Sequence, residues 1–174
     1  MRQGRRIFTA TSHTVSSLSL AVCLLVGVAG SRQLGAQPTS ASPEMLADAA
    51  LHDVFFLDAD RGWAVGDRGV IWSSEDGGRH WRLADSPVNC SLRSIHFVDE
   101  QNGWIVGGWT HPYSHRTSGV VLRTENGGRR WTQIPSNTLP QLTRVKFLDQ
   151  RHGWAIGKLS AMYSAGIFRT EDGG

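Results

Sequence analysis

Cysteine is nearly missing from this 174-residue chain, which holds only Cys23 and Cys90. Long apolar runs are missing too. The strongest, Leu18–Ala29 (LSLAVCLLVGVA), falls well short of the roughly 20 residues that a membrane-spanning helix needs. Acidic residues are absent from the first 36 positions, which carry Arg2, Arg5, Arg6 and Arg32. That absence accounts for the sequence pI near 9.3. Residues 37–174 hold 14 basic and 15 acidic side chains, so the uniform positive charge that nucleic-acid binding draws on is lacking. No stretch after residue 50 shows the 3.6-residue apolar period of a helix.

The arginine-led start, the apolar run and the small residues after it follow the order of a secretory signal peptide over 1–36. Small residues end at Gly30 and at Ala36, and Ala36 is the favoured cleavage point. Arg5-Arg6-Ile7-Phe8 resembles a twin-arginine export signal, with Gly4 where that signal prefers Ser or Thr; ordinary secretion is the favoured route. Bulky Val22 before Cys23 disfavours a lipoprotein site. Cleavage removes Cys23 and leaves Cys90 alone, which excludes an intrachain disulfide and a cysteine metal cluster. The expected location is periplasmic or extracellular, with no membrane span after signal cleavage. Residues 37–50 read as a Pro/Ser/Ala linker.

What the chain has in quantity is glycine, 20 residues, and tryptophan, seven. Both fall into one motif written three times. Leu51-x-x-Val54-x-Phe56-x-Asp58, Leu92-x-x-Ile95-x-Phe97-x-Asp99 and Leu142-x-x-Val145-x-Phe147-x-Asp149 each lead to a Gly-Trp pair, at 62–63, 103–104 and 153–154. Each continues through Trp-x-x-Gly and a second apolar run into Ser74-Glu-Asp76-Gly-Gly, Thr124-Glu-Asn126-Gly-Gly or Thr170-Glu-Asp172-Gly-Gly. The period is 41 and then 50 residues, in the range of four-stranded propeller blades. Alternation at period two predicts half-buried strands. In Asp-x-x-x-Gly-Trp the carboxylate is expected to accept backbone N–H groups, and the glycine to supply a positive φ. Asp-Gly-Gly closes a hairpin into a fourth strand led by Trp81 or Trp131.

Ser74-x-Asp76-x-Gly78-x-x-Trp81 resembles the Asp-box, or BNR repeat, of sialidase-like propellers. With the Asp-x-x-x-Gly-Trp-x-Val-Gly element it resembles the photosystem II stability/assembly factor-like β-propeller family. The resemblance covers residues 51–174 and implies an all-β propeller of four-stranded antiparallel blades. About three are expected in an incomplete ring: 51–91, 92–141 and a truncated 142–174, an N-terminal fragment of a longer ring with two sheet faces left open. Asn126 departs from the Asp of the second box, and the third box stops at Gly174.

Asp76, Asn126 and Asp172 are read as structural turns, because Asn126 preserves a local turn but cannot act as acid or nucleophile. Trp63, Trp81, Trp104, Trp131 and Trp154 are read as packing between sheets rather than as a sugar platform. His111 and His115 stand four apart, but Pro112 and the Gly, Ser and Thr around them predict a loop and no metal site. From each Trp to its box residue the separations are 13, 22 and 18. The second and third repeats therefore carry insertions between their second and third strands. Variable loops on a rigid scaffold are where binding sits, so Trp109, His111, Tyr113, His115, Arg116, Lys158 and Tyr163 are the candidate partner-binding residues, with Met162 in the same insertion. The plain alternative is solvated decoration. Sixteen of the 18 basic residues are Arg, and Arg79, Arg129 and Arg130 fall between box glycines and Trp. The resemblance permits an arginine-lined docking rim there; a high-GC genome gives the same bias.

The resulting expectation is an exported, non-enzymatic scaffold that binds a protein or peptide, with no cofactor and no nucleic acid. The alternative is a fragment of an Asp-box glycoside hydrolase, sialidase-like or glucanase-like, with a glycan as ligand. Such an enzyme needs paired carboxylates across a cleft, and outside the repeated turns the chain offers few: Asp53, Asp67, Asp85 and Glu100.

Overall fold

A computed structural model of the chain describes residues 48–114, 116–136, 138–159, 164 and 166–174. The signal-peptide reading, and all but the end of the linker reading, lie outside these residues. Among the described residues, eleven strands form three antiparallel sheets in meander order. The first holds β1 (Leu51–Phe56), β2 (Gly62–Gly66), β3 (Ile71–Ser74) and β4 (Arg82–Ala84). The second holds β5 (Ser91–Phe97), β6 (Gly103–Thr110), β7 (Thr117–Thr124) and β8 (Thr132–Ile134). The third holds β9 (Leu142–Phe147), β10 (Gly153–Gly157) and β11 (Ile167–Thr170). A 3-10 turn, Asp67–Gly69, joins β2 to β3. The first strand β5 lies beside both β1 and β9, which is the arrangement of consecutive propeller blades.

The Leu-x-x-Val spacing is off the period of a regular strand, which would send Leu and Val to opposite faces. The structure resolves this with a bulge at the same place in each sheet: the register slips between Leu51 and Asp53, between Leu92 and Ser94, and between Leu142 and Arg144. The extra residue brings Leu back to the face of Val and Phe. Leu92, Ile95 and Phe97 are all buried, as are Leu142, Val145 and Phe147.

The glycine of each Gly-Trp pair corrects one expectation. Gly62, Gly103 and Gly153 do not adopt positive φ. They sit opposite Phe56, Phe97 and Phe147 in the hairpin, and a Cβ there would lie 2.5–2.6 Å from the ring. The glycine is needed because the phenylalanine folds over it. The box glycines do have left-handed backbones, Gly77 at φ 72° and Gly78 at φ 83°, as L side chains seldom do. The fourth strands also start one residue later than expected, so Trp81 and Trp131 precede β4 and β8.

Tryptophan joins the sheets. Trp63 of the first sheet stacks on Phe97 of the second at 4.0 Å and 23°, and Trp104 of the second on Phe147 of the third at 3.7 Å and 10°. The Trp104 indole N–H donates to the Gly173 carbonyl, 2.9 Å away in the third box. Polar bonds reinforce this near the first strands. Asp53 Oδ2 accepts from Ser94 Oγ (2.9 Å) and Ile95 N (3.0 Å), and Ser94 Oγ in turn accepts from Val145 N at 3.4 Å.

Candidate partner-binding site

Antiparallel meanders put alternate connections at opposite ends of a blade, and the two ends here differ in chemistry. At one end lie the Asp-x-x-x-Gly turns and the Asp-boxes, bonded to each other: Gly77 N donates to Asp60 O, Gly127 N to Gln101 O, and Gly173 N to Arg151 O. Each leading carboxylate caps its own turn. Asp58 Oδ1 accepts from Asp60 N and Arg61 N, Asp99 Oδ1 from Gln101 N and Asn102 N, and Asp149 Oδ1 from Arg151 N and His152 N, all at 2.7–2.9 Å. These bonds favour the charged form. The His152 and Arg151 amides hold Asp149 at about 2. Burial pushes Asp99 upward, but the amides of Asn102 and Gln101 and the Gln150 side chain outweigh it and hold it at about 2.

The three boxes repeat one hydrogen-bond pattern. Ser74 Oγ donates to Asp76 Oδ1 at 2.9 Å, Thr124 Oγ1 to Asn126 Oδ1 at 2.9 Å, and Thr170 Oγ1 to Asp172 Oδ1 at 2.7 Å. His80 N and Arg130 N donate back to Asp76 and Asn126, each at 2.9 Å. Asp76 also meets the His80 ring at 2.6 Å. The His80 amide and then its ring hold the carboxyl far below the usual range.

The β2–β3, β6–β7 and β10–β11 connections occupy the other end, beside the links between blades. Asp67 N donates to Ala50 O, Gly119 N to Leu139 O, and Lys158 N to Gln141 O. Asp67 Oδ1 also accepts from Ser91 Oγ at 2.5 Å and pairs with His52 Nε2 at 2.8 Å. The Ser91 hydroxyl and then His52 lower its pKa.

The second insertion is less of a loop than expected. β6 and β7 run on together, pairing Gly108 with Gly119, Trp109 with Ser118 and Thr110 with Thr117. The turn follows at Pro112–Ser114, and a His111 N to Arg116 O bond of 2.8 Å spans it. Trp109 is thus a strand residue and Tyr113 a tip residue. The arm rests on the blade link: Gln141, itself buried, donates from Nε2 to Gly108 O at 3.3 Å.

Several candidate residues meet on this arm. Trp109 Nε1 donates to His111 Nε2 at 3.0 Å, with the rings edge-on at 77°. Lys158 Nζ, from the third sheet's insertion, reaches Thr110 Oγ1 at 3.1 Å, and Thr110 Oγ1 bonds Gln141 Oε1 at 3.3 Å. The two insertions are therefore in contact. Trp109 is 41% exposed, Tyr113 98% and the neighbouring Leu159 69%, and Arg116 is exposed. His115 and Tyr163 lie outside the described residues, as does Met162. Among the described residues no group of three or more His, Cys, Asp or Glu could hold a metal. Thr110, Ser118 and Gln141 were missed by sequence reasoning. Their only signal was position, at or beside the inserted segment.

A second recess lies at the turn end, between the first and second sheets. This cleft of about 480 Å³ is lined by Arg61, Arg82 and Arg129 with Glu75, Glu100 and Asn126. Arg61 bridges to Glu100 at 2.9 Å, and Asn126 presents an amide where the first box has a carboxylate. Arg79, Arg129 and Arg130 all belong to this end, and Arg129 is the one that lines the cleft.

Comparison with known proteins agrees with this architecture. A curated Photosystem II assembly lipoprotein Ycf48 from Synechococcus sp. (strain CC9902) is 36% identical over 99 residues, covering 52% of this chain and 29% of the relative. A solved structure described as YCF48 bound to D1 peptide superposes with a TM-score of 0.57 at 30% identity, covering 72% of this chain and 37% of that one. YCF48 from Cyanidioschyzon merolae superposes at 0.54 and 28% identity, covering 72% and 35%. The chain thus spans about a third of the length of the relatives it matches. The repeated Trp-on-Phe stacks, the Gly beneath each Phe and the Asp-box turns are accompanied by a match over residues 40–141 to the model of one family, so the chain belongs to the Photosynthesis system II assembly factor YCF48 family.

Proposed function

We propose that this chain is an exported, non-enzymatic propeller scaffold that binds a polypeptide partner during photosystem II assembly. Its docking surface is the end that carries the insertions. The observation that carries this is the junction of the two insertions: Lys158 on Thr110 and Gln141 beneath the β6–β7 arm brace the paired hairpin that carries Trp109 and ends in exposed Tyr113. Half-exposed aromatics on a rigid support lose little entropy on binding, which is why such residues dominate protein contacts. A relative described as bound to D1 peptide supports a peptide as the partner class. Export rests on the 1–36 segment and agrees with a relative named as a lipoprotein.

The non-enzymatic reading draws support from how the carboxylates are used. Asp53 and Asp67 are held by hydrogen bonds between structural elements, and Glu100 by Arg61. Catalytic carboxylates need to face substrate. The arginine-lined cleft favours a second docking reading, for an acidic stretch of the same partner, because Arg82 and Arg129 stand there with the amide of Asn126.

The test is titration of a labelled D1 peptide against the chain and its variants. Trp109→Ala and Tyr113→Ala are expected to weaken binding about tenfold or more, the loss typical of an aromatic anchor. Unchanged binding in both, with loss in Arg129→Glu, would move the docking surface to the cleft.

A further inference from the structure

We propose that His111 is a proton-operated latch on Trp109. An indole N–H donates and never accepts. The 3.0 Å bond from Trp109 Nε1 to His111 Nε2 therefore requires a lone pair on that nitrogen. That requirement is met by the neutral imidazole with its proton on Nδ1. The Ser118 hydroxyl, 3.5 Å from the same nitrogen, can turn to either role and sets no such condition. When solvent donates a proton to Nε2, the imidazolium carries N–H on both nitrogens. The indole then faces a donor instead of an acceptor and the bond is lost. Histidine is the side chain that ordinarily makes this change between pH 5 and 8.

The surroundings let the ring respond. Trp109 is 41% exposed and pairs with Ser118 only through the backbone register, so its side chain is held by the histidine rather than by a core. Once Nε2 is protonated, the Ser118 hydroxyl beside it can accept in place of the indole; the other groups around the latch are few. On the arm itself these are exposed Tyr113 and Arg116, whose carbonyl is already taken by His111 N. From the third sheet come Gln141, engaged with Gly108 and Thr110, and the cationic Lys158 on Thr110. The latch deepens the docking reading above and rests on it for its purpose: the indole surface offered to a partner differs above and below the histidine transition.

The experiment reads the latch on the full chain alone, without any partner. The Trp109 indole ¹⁵N–¹H resonance, assigned by its disappearance in Trp109→Phe, is followed from pH 8 to 5. A single transition that coincides with the His111 ring titration is expected. In His111→Gln, whose side-chain oxygen accepts a hydrogen bond at every pH, that transition is expected to vanish while the Trp63 and Trp104 resonances stay in place as the check on folding. A Trp109 resonance that stays fixed while His111 titrates overturns the latch, as does a transition that survives in His111→Gln. Failure of peptide binding with the transition intact would instead remove only the docking reading.

Discussion

The first and second sheets are written in the same residues and are buried very differently. Leu51, Val54 and Phe56 on β1 are 54%, 56% and 42% exposed, whereas Leu92, Ile95 and Phe97 on β5 are at 3% or below. Trp81 is half-buried against Phe56, while its equivalent Trp131 is 4% exposed against Phe97. The difference is the neighbour. The face of β5 receives Trp63 from the sheet before it, and among the described residues no sheet precedes β1. The apolar face of β1 instead borders an open recess with Ala64, Trp72 and Trp81. A blade motif therefore specifies a surface that is to be covered, and the covering comes from the adjacent repeat. This is how repeat proteins divide their stability between units and interfaces.

The largest expected effect is at the stacked tryptophans. Trp104→Ala should cost about 3–5 kcal/mol, as for a large aromatic removed from a core, and Trp154→Ala, on a half-buried ring beneath Arg169, under about 1.5 kcal/mol. Urea unfolding of the two variants checks this. Equal costs would mean that the third sheet's outer face is covered in solution. Next come the leucines that lead each repeat: Leu92→Ala is expected to lose roughly 2–5 kcal/mol and Leu51→Ala below about 1 kcal/mol. Similar losses at both would break the comparison between the sheets.

Gly103→Ala comes third, at about 1–3 kcal/mol, because the added methyl must displace the buried Phe97 ring. Gly62→Ala should cost less, since the half-exposed Phe56 ring can swing away. Thermal midpoints of the pair give the order. The smallest effects are electrostatic. Asp99 titrates near 2 when folded, below the ordinary value of about 3.9. Its contribution is fully present above about pH 4 and is lost as pH falls through about 2. Asp99→Asn should flatten the stability profile in that window, and acid titration by circular dichroism shows it. Asp76→Asn should leave the midpoint at pH 7 unmoved, because Asn126 already makes the same Oδ1 bonds in the second box. A clear drop would mean that the His80 pairing, which the second box lacks, carries weight.

Much of the fold was legible because each repeat stated it again. Three copies of Leu-x-x-Val-x-Phe, Gly-Trp and Asp-Gly-Gly separate structural positions from incidental ones without any second sequence. The turn carboxylates were legible for the same reason, since a short acid before a tight turn has few other uses. The reason for the glycine in Gly-Trp was not. Either a positive φ or a ring overhead calls for glycine, and only the cross-strand register puts Phe97 on Gly103. The site was legible as an insertion but not as a surface. Residue counts located the extra segment after Trp104, yet gave no sign that it continues the hairpin and lies against Gln141 of the next sheet.

By itself, then, the sequence determined blade type, strand order and box chemistry, because these depend on contacts within about 30 residues and on local backbone preference. The tertiary structure alone decided which Leu, Phe and Trp are core, and that His111 grips Trp109 and Lys158 reaches Thr110. The core assignments and the Lys158 contact depend on which sheet packs beside which, and the Trp109–His111 grip on how the arm's strands pair. Identical motifs cannot encode these differences individually.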